Sequence, residues 1–368
     1  MPALFSPFPL RGLTLRNRVI VSPMCQYSSV DGRATPWHVV HLGSLALSGA
    51  GMLCTEATGV EADGRISPAD LGLYDDATEA ALQPVLAVIR AHSKVPVAIQ
   101  LAHAGRKAST QLPWQGGAQI PVGQGGWRTH APSALTQRPG EEPPLPLDAA
   151  GLARVRDAFV DATRRAARLG IDALELHAAH GYLLHQFLSP LANQRGDAYG
   201  GSLANRMRFP LEVFEAVRAA FPADRPVGVR VSATDWMDHG WDLEQTIALA
   251  RELAARGADW IDVSSGGISP AQNIVLGPGY QVPFAEAVKR ATGLPTMAVG
   301  LITTPAQAED IVASGKADLV ALARAMLYDP HWPWHAAAEL GATVDAPPQY
   351  WRSAPAGHGG LFGDTRPR

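Results

Sequence analysis

The sequence predicts a (β/α)8 barrel, also called a TIM barrel, with loop excursions after its third and fourth strands. Eight short apolar runs recur along the chain, and each precedes a segment with helical periodicity. The length of 368 residues also suits one barrel with long loops. Because β–α units with right-handed crossovers close most naturally into a barrel, we prefer this fold to a doubly wound open sheet.

The eight predicted strands are short and rich in β-branched or apolar residues. They span residues 19–24, 51–57, 95–102, 173–178, 227–232, 260–264, 295–299 and 318–323. One intervening helix has Thr304 as its predicted N-cap, followed by Pro305, with Gln307 in capping-box register. Asp242 caps another. The predicted helix ends are Gly170, Gly257 and Gly315.

Two segments interrupt the alternation of strands and helices. Residues 105–148 follow the third strand, are rich in Gly, Pro and Gln and show no helical period, and residues 181–201 follow the fourth strand. Both leave the carboxyl ends of strands, the face on which barrel enzymes build their sites. We therefore expect one barrel domain over residues 1–352 and a glycine-rich tail over residues 353–368.

The charge balance argues against nucleic acids and anionic membranes as partners. The chain has 31 Lys and Arg against 34 Asp and Glu, a formal net charge of −3, with no block of like charges. The first residues lack the pattern of a secretory signal, and no apolar stretch reaches about 18 residues. Two cysteines, Cys25 and Cys54, do not suggest a disulfide framework. We therefore expect a cytoplasmic protein.

Polar residues cluster where the predicted strands end, so they would converge on the mouth of the barrel. These ends carry residues 22–27, 56–58, 100–103, 177–182 and 264–267, together with Arg230, Gly300 and Arg324. Polar residues at the carboxyl ends of eight strands, all on one face of the barrel, indicate a functional site more strongly than any single motif does.

The most specific element is His177-x-x-His180-x-Tyr182, on the turn that leaves the fourth strand. Residues three apart on such a turn can face one point, so two imidazole N–H groups can polarise one substrate oxygen beside a phenol. This arrangement suggests addition to a conjugated double bond, with Tyr182 protonating carbon. Two alternatives remain: the histidines bind zinc, although no third ligand is evident, or one of them is a buried structural residue.

Three further positions have both a functional and a structural interpretation. Arg230 interrupts an apolar strand, where an unpaired cation is costly, so we expect either an electron-rich ligand or a salt bridge. Gly300 and Arg324 occupy positions at which barrels bind phosphate, or they form an ordinary turn and a surface arginine. Cys25 is either a thiol beside a cofactor or a small buried residue.

Near the C-terminus, aromatic residues cluster with an arginine. The cluster comes too late in the chain to belong to the eight β–α units. Trp332, Trp334 and the run 350–352 either cover the barrel or form a subunit contact, since aromatic residues and arginine are enriched at interfaces.

Several strings of the sequence resemble the old yellow enzymes, specifically their bacterial thermophilic-like subclass. The strings are residues 22–27 (SPMCQY), 100–107 (QLAHAGRK), 177–182 (HAAHGY), 199–202 (YGGS) with Asn205-Arg206, and Gln349-Tyr350 with Arg352. They occur in the family's order, and the resemblance runs from about Leu4 to Arg352, nearly the whole chain. A histidine pair and a cysteine at position 25 both indicate this subclass.

The resemblance implies a noncovalent FMN at the mouth of the barrel and NADPH as the hydride donor. The implied cofactor-binding residues are Ser22, Pro23, Met24, Cys25, Ala57, Gln100, Arg230, Gly300, Ala323 and Arg324. Residues 23–25 would lie along the isoalloxazine, Ala57 and Gln100 would bond its polar edge, and Arg230 would sit near N1 and O2. The last three residues of the list would hold the phosphate.

The resemblance also implies a substrate site and a reaction. His177 and His180 would bind a carbonyl or nitro oxygen, and Tyr182 would donate the proton. Tyr27 would hold the substrate over the flavin. Hydride would pass to the β-carbon of an α,β-unsaturated carbonyl or nitro compound. An arginine near the C-terminus, here Arg352, would reach the neighbouring subunit's site, which implies a homodimer or a higher homo-oligomer.

Two departures from the family pattern bear on these implications. Ala323 stands where the family usually has glycine, so the phosphate loop must tolerate a methyl group. Trp351 stands where we expect a smaller or acidic residue, and an indole there would narrow the substrate mouth.

Two other functions compete with an FMN-dependent ene-reductase. A related dienoyl-thioester reductase would need an iron–sulfur domain, for which two cysteines are too few. The other is a flavin-binding or metabolite-binding barrel without turnover.

Overall fold

The computed structural model describes residues 1–364 of the chain. Its strands are β1 (Phe8–Leu10), β2 (Leu13–Leu15), β3 (Val19–Val21), β4 (Met52–Gly59), β5 (Val97–Ala102), β6 (His130–Ala131), β7 (Leu145–Pro146), β8 (Ala173–Ala178), β9 (Val227–Ser232), β10 (Trp260–Ser264), β11 (Thr296–Ala298), β12 (Leu319–Leu322), β13 (Val344–Ala346) and β14 (Phe362–Asp364). Its α-helices are α1 (Pro36–Ala46), α2 (Asp76–His92), α3 (Ala149–Arg168), α4 (Leu183–Leu188), α5 (Leu203–Ala220), α6 (Leu243–Ala255), α7 (Val282–Thr292), α8 (Pro305–Ala313), α9 (Arg324–Tyr328) and α10 (Trp332–Leu340).

Eight of these strands form a closed parallel barrel, in the order β3, β4, β5, β8, β9, β10, β11 and β12. Each predicted strand overlaps one barrel strand, so the predicted (β/α)8 barrel is confirmed. The alternative of a doubly wound open sheet is wrong, because β12 pairs with β3 and closes the barrel.

The β1–β2 hairpin plugs the amino-terminal end of the barrel. Its Phe8, Leu10 and Leu15 join one buried apolar cluster with residues near the start of barrel strands, including Ile20 and Met52. A second, larger cluster fills the space between the strands and the surrounding helices. Both faces of the strands are therefore buried, as is usual in all-parallel sheets.

Inside the barrel, the Trp260 indole lies against the backbone of Gly228 on the neighbouring strand. A Cβ at position 228 would lie 2.0 Å from Trp260 Cε2, so only glycine fits there. Trp260 Nε1 donates a hydrogen bond to Glu175 Oε2 at 3.3 Å. The indole thus fills the interior and also supports a buried carboxylate.

Helix termini follow most of the predicted signals. Thr304 Oγ1 accepts a hydrogen bond from the Gln307 backbone N–H at 3.2 Å, and Asp242 Oδ1 accepts one from Gln245 at 2.9 Å. The Gln307 side chain accepts from Thr303 rather than Thr304, so only half of the predicted capping box forms. The predicted helix ends with positive φ are Gly170, Gly257 and Gly315.

Both predicted excursions are present. Within the described chain, residues 105–148 contain short 3-10 turns and the paired strands β6 and β7 but no α-helix. Residues 181–201 include the short helix α4, which the sequence does not predict because all its residues are buried and show no amphipathic period. The two excursions rise from adjacent strands, β5 and β8, and border the same side of the mouth.

The C-terminal segment returns to the amino-terminal end of the barrel. Asp345 and Pro347 line a small cavity with Arg16, Gly49 and Pro96, which precede three barrel strands. β13 and β14 pair in parallel, so part of the predicted tail is a strand. Residues 365–368 of that tail lie outside the described residues.

None of the described helices combines the length and the apolar character that crossing a lipid bilayer requires. A cytoplasmic location stays a prediction.

Candidate active site

Two histidine rings meet at the carboxyl end of β8. His177 Nε2 lies 3.3 Å from His180 Nδ1, and the ring centroids are 5.1 Å apart in an edge-to-face arrangement. His180 has a φ of +57°, a left-handed conformation that is uncommon outside glycine. This local turn makes the two side chains converge, as the spacing of the motif predicts.

Neighbouring groups determine which ring nitrogens carry protons. His177 Nδ1 accepts a hydrogen bond from the Ala179 backbone N–H at 3.2 Å, so its proton is on Nε2. His180 Nε2 lies 2.7 Å from Ser264 Oγ, and Gln281 Oε1 is a second acceptor at 3.4 Å from that hydroxyl. When the hydroxyl donates to Nε2 at the shorter distance, the His180 proton is on Nδ1. The two N–H groups can then point at one acceptor.

Both histidines are neutral near pH 7. Burial lowers the pKa of each ring well below its usual value, and the nearby cations of Arg230 and Lys107 lower the pKa further. The backbone N–H of His180 donates to Ser232 Oγ at 2.9 Å, and that hydroxyl donates to the Gly266 carbonyl at 2.8 Å. The pair is therefore held in place and donates hydrogen bonds without carrying positive charge.

Tyr182 lies beside the histidine pair. Its ring packs edge to face on His177, with the centroids 4.9 Å apart. Burial raises the pKa of Tyr182 well above its usual value, and the ionisable neighbours Cys25 and Tyr27 add to the rise. The phenol therefore keeps its proton at neutral pH, which is the state that a proton donor needs.

Charged and amide side chains line the barrel next to the histidines. Arg230 pairs with His177 in the β8–β9 register, and its Nη1 donates to Ser22 Oγ at 3.2 Å. Arg230 Nε also forms a 3.3 Å ion pair with Asp262. The salt bridge predicted as one interpretation of Arg230 is thus present, while Nη1 lies at the end of β3.

The neighbouring strands add an amide and a second carboxylate to this layer. Gln100 Nε2 donates to Glu175 Oε1 at 2.8 Å. Burial raises the pKa of Glu175 to about 7, and the charge of Asp262 adds to the rise.

Cys25 follows β3 and lies next to two buried carboxylates. Its Sγ and the nearest oxygens of Glu56 and Asp70 all lie within 4.8 Å of one another. Burial raises the pKa of the Cys25 thiol, and these two acidic neighbours raise it further. Glu56 Oε2 also accepts from the Gln26 backbone N–H at 3.0 Å, which fixes the turn. Cys25 is therefore a protonated thiol in this mouth, and its S–H donates to Asp70.

Two backbone donors are unpaired where β11 and β12 end. Among residues 1–364, none accepts a hydrogen bond from the backbone N–H of Gly300 or of Arg324, and none pairs with the exposed Arg324 guanidinium. Gly300 has a φ of +113°, and a Cβ there would lie 2.6 Å from Gln281 Nε2, so the position requires glycine. Two donors and a cation are thus available at adjoining strand ends.

A cavity of about 330 Å³ opens at the mouth, between the excursion after β5 and the loop after β3. Its lining includes Tyr27, Lys107 and Arg138. The Tyr27 ring packs edge to face on Trp114, with the centroids 5.7 Å apart. This volume lies in the range of small-molecule sites. Its lining does not include His177 or Tyr182, but Lys107 connects it to the His180 turn.

Arg352 stands apart from the other predicted site residues. It lies in the 3-10 turn Pro348–Ser353, and its neighbour Tyr350 packs on Trp334 of α10, with the ring centroids 5.8 Å apart. The residues just before this turn lie at the amino-terminal end of the barrel, opposite the mouth. Within the described part of the chain, no side chain forms an ion pair with Arg352.

The geometry offers no third ligand for zinc at the histidine pair. In residues 1–364, the groups of three metal-ligating side chains are Cys25–Glu56–Asp70 and Glu61–Asp63–His103. Neither group includes His177 or His180. Glu61 is already paired with Arg154 at 2.7 Å and with His103 at 3.2 Å.

Sequence reasoning assigned no role to several side chains that support the site. Ser232 and Ser264 hold the His180 turn and ring, and both stand at the ends of predicted strands. Lys107 belongs to one of the family-like strings, but its contacts depend on two distant loops. Asp262 was detectable only through strand register, because it lies opposite Arg230 on the adjacent strand.

Comparison with known proteins shows the family of this chain. The model of the NADH:flavin oxidoreductase / NADH oxidase family matches residues 3–342, nearly the whole barrel. The chain belongs to this family. The predicted relation to the old yellow enzymes, the FMN cofactor and the nicotinamide hydride donor are thereby confirmed.

Several members of this flavin oxidoreductase family are similar over almost their full length. The chain is 44% identical over 351 residues to an NADPH dehydrogenase of Geobacillus thermodenitrificans, and the aligned residues cover 95% of this chain and 98% of that protein. It is 42% identical over 355 residues to an NADPH dehydrogenase of Listeria monocytogenes, with 96% and 99% covered. The chain is therefore an enzyme of the NADPH dehydrogenase type, and a binding barrel without turnover is not supported.

Solved structures of family members share the fold. Morphinone reductase superimposes with a TM-score of 0.78 at 27% identity, covering 100% of this chain and 94% of that chain. Its complex with tetrahydroNAD superimposes with a TM-score of 0.77 at 28% identity, covering 99% and 95%.

Proposed function

We propose that this flavin oxidoreductase reduces the activated C=C bond of α,β-unsaturated carbonyl or nitro compounds. The observation that carries the proposal is the 3.3 Å separation of His177 Nε2 and His180 Nδ1 beside the protonated Tyr182. Two neutral N–H donors suit an oxygen on which negative charge develops. A phenol with a raised pKa suits the protonation of carbon.

The mouth fits FMN by the chemistry of its donors. The free N–H groups of Gly300 and Arg324, with the Arg324 guanidinium, suit a phosphate. Arg230 supplies a cation for the N1 and O2 edge, where negative charge collects on reduction. Ala323 has a negative φ of −106°, so the position does not need glycine for a left-handed conformation. The other proposed FMN contacts are Ser22, Pro23, Met24, Cys25, Ala57 and Gln100.

Different residues of the chain have different roles in the proposed reaction. FMN, when bound, accepts hydride from NADPH and supplies it to the substrate. His177 and His180 hold the substrate oxygen, which draws electron density from the β-carbon and makes that carbon electrophilic. Tyr182 delivers its proton to the α-carbon. Tyr27 restricts how the substrate lies in the mouth cavity.

An anaerobic assay tests the proposed reaction. FMN-loaded enzyme is first bleached with NADPH and then mixed with a cyclic enone, a nitroalkene or the matching saturated ketone. We expect the enone and the nitroalkene to restore the flavin absorbance and to yield saturated products, whereas the saturated ketone leaves the absorbance bleached. Bleaching by NADPH without reoxidation by any activated alkene would contradict ene reduction.

Replacing Cys25 with alanine is expected to shift the midpoint potential of bound FMN by about 10–30 mV. This range corresponds to a neutral hydrogen bond of about 0.5–1.5 kcal/mol in a two-electron couple. The thiol is protonated, so it is not a nucleophile, and its S–H donates to Asp70, so Cys25 would meet a cofactor through its polarisable sulfur, a weak acceptor. Spectroelectrochemical titration of the FMN-loaded variant measures the potential.

Cys54→Ala is the matched control, because Cys54 is buried in the barrel interior. That variant should keep the wild-type potential. An unchanged potential in Cys25→Ala would leave Cys25 with a packing role only.

We also propose that Arg352 completes the active site of a second subunit in a homodimer or a higher homo-oligomer. The guanidinium is exposed, and the segment that leads to it is docked opposite the mouth of its own barrel. Mixing Arg352→Ala chains with His177→Ala chains should therefore regenerate intact sites. After random exchange between dimers, we expect about one quarter of the wild-type activity, from two nearly inactive parents.

A mixture of His177→Ala with Tyr182→Phe is the control for subunit exchange. Both of these lesions belong to the same barrel, so every site in a mixed dimer keeps one lesion and activity should stay low. A fully active Arg352→Ala parent would contradict the proposed role, as would demonstrated exchange without recovery.

A further inference from the structure

Lys107 is a partly buried lysine without a carboxylate partner among the described residues. Its Nζ donates to the backbone carbonyls of His180 at 2.6 Å and Gly267 at 3.1 Å. Desolvating an ammonium group is costly unless its donors are satisfied, and carbonyl groups satisfy donors without neutralising the charge. A net positive charge is thus held inside the mouth.

This charge lies over the ring of the proposed proton donor. Lys107 Nζ is 4.7 Å from the Tyr182 ring centroid, within the range of a cation–π contact. When a phenol gives up its proton, negative charge spreads into the ring, and the attraction to a cation above its face increases. The contact is therefore stronger after proton transfer than before it, and such differential binding accelerates a step.

We propose that Lys107 is a positioning residue for protonation: it holds the His180–Tyr182 turn and stabilises the phenolate that forms when Tyr182 releases its proton. This inference rests on the proposed ene reduction. It assigns Lys107 an electrostatic role as well as a structural one, and the two roles can be separated by substitution.

The structural role follows from the conformation of the two loops that Lys107 joins. His180 and Gly267 both have positive φ, and a Cβ at Gly267 would lie 2.4 Å from the His180 backbone. The loops after β8 and β10 are therefore packed against each other, and Lys107 bonds one carbonyl from each. Removing its donors would loosen the turn that carries His180 and Tyr182.

The electrostatic role predicts a pH dependence. Desolvation, together with the nearby cations Arg106 and Arg138, lowers the pKa of Lys107 to about 8. Its charge is therefore present below pH 8 and is lost as the pH rises through that value, so protonation should slow above it. The titratable or charged groups that face Lys107 are Arg106, Arg138, Glu141, His177, His180 and Tyr182.

Three variants separate the charge from the hydrogen bonds. Lys107→Gln keeps two N–H donors, on a side chain one bond shorter, but has no charge. Lys107→Arg keeps the charge, and Lys107→Met loses both the charge and the donors. Lys94→Gln, at an exposed lysine near the amino-terminal end of the barrel, is the matched control.

Rapid mixing of the FMN-loaded variants measures the two half-reactions. We expect Lys107→Gln to be bleached by NADPH at nearly the wild-type rate but to be reoxidised by an enone about tenfold more slowly. Its solvent isotope effect should rise, and the decline near pH 8 should disappear. Lys107→Arg should recover most of the rate, Lys107→Met should be slower than Lys107→Gln, and Lys94→Gln should match wild type.

A wild-type reoxidation rate and pH profile in Lys107→Gln would overturn the electrostatic role. Failure of the proposed function looks different, because wild-type enzyme itself would then not be reoxidised by enones.

Carbon-13 NMR of holoenzyme labelled with tyrosine carrying carbon-13 at Cζ supplies a readout that needs no substrate and leaves the acidity of the phenol unchanged. The signal of Tyr182 is identified by its absence in Tyr182→Phe. We expect it to titrate with a midpoint near pH 8 in wild type, following the charge of Lys107, and to lose this titration in Lys107→Gln. A Tyr182 chemical shift that stays constant across this pH range in wild type would also overturn the proposal.

Discussion

Tyr182→Phe is expected to slow enone-dependent reoxidation of the NADPH-bleached enzyme by about 100-fold or more, the scale of one general acid. The substitution removes only the hydroxyl, and the ring can still pack on His177 and under Lys107. Bleaching by NADPH should be nearly unchanged, because that step needs no proton from Tyr182. Stopped-flow absorbance resolves the two steps separately.

Tyr199→Phe is the control for losing a phenol, because the Tyr199 hydroxyl donates to Glu212 on α5. It should leave both half-reactions unchanged. Wild-type reoxidation in Tyr182→Phe would assign the proton to water or to another residue.

His177→Ala and His180→Ala are each expected to raise the barrier to enone reduction by about 2–4 kcal/mol, or roughly 30- to 1,000-fold in rate. Each variant removes one of two N–H donors that lie 3.3 Å apart. The loss should appear in the enone Michaelis constant as well as in the rate, while FMN content stays normal. Binding of phenols, followed by their charge-transfer absorbance with FMN, should also disappear.

His92→Ala, at an exposed helix terminus, is the control for losing an imidazole and should behave as wild type. Inactivation of the wild type by chelators, together with stoichiometric zinc in the purified protein, would instead favour the metal interpretation of the pair.

The barrel strands were largely predictable because a parallel strand buried on both faces is a run of apolar residues. The boundaries were less predictable. β3 ends at Val21, although the predicted strand continues to Met24, because residues 22–25 leave the barrel to form the mouth. β4 continues to Gly59 through an irregularity between Thr55 and Ala57, which no local pattern signals.

The candidate site was predictable where its geometry is local. His177, His180 and Tyr182 share one turn, so their spacing alone brings them together. Lys107 was not predictable in the same way, because its acceptors are 73 and 160 residues away in the chain. The salt bridge of Arg230 stayed one of two interpretations until strand register placed Asp262 opposite it.

The plugged end of the barrel has a kinetic consequence. Because the β1–β2 hairpin and the Trp260 indole fill the interior, a ligand in the mouth is reached from the carboxyl-terminal opening and not through the barrel. A nicotinamide donor and an enone acceptor that both approach through that opening must take turns, so the occupancy of one excludes the other. Turnover then depends on how quickly each ligand dissociates. A tightly bound nicotinamide donor becomes an inhibitor of the second half-reaction.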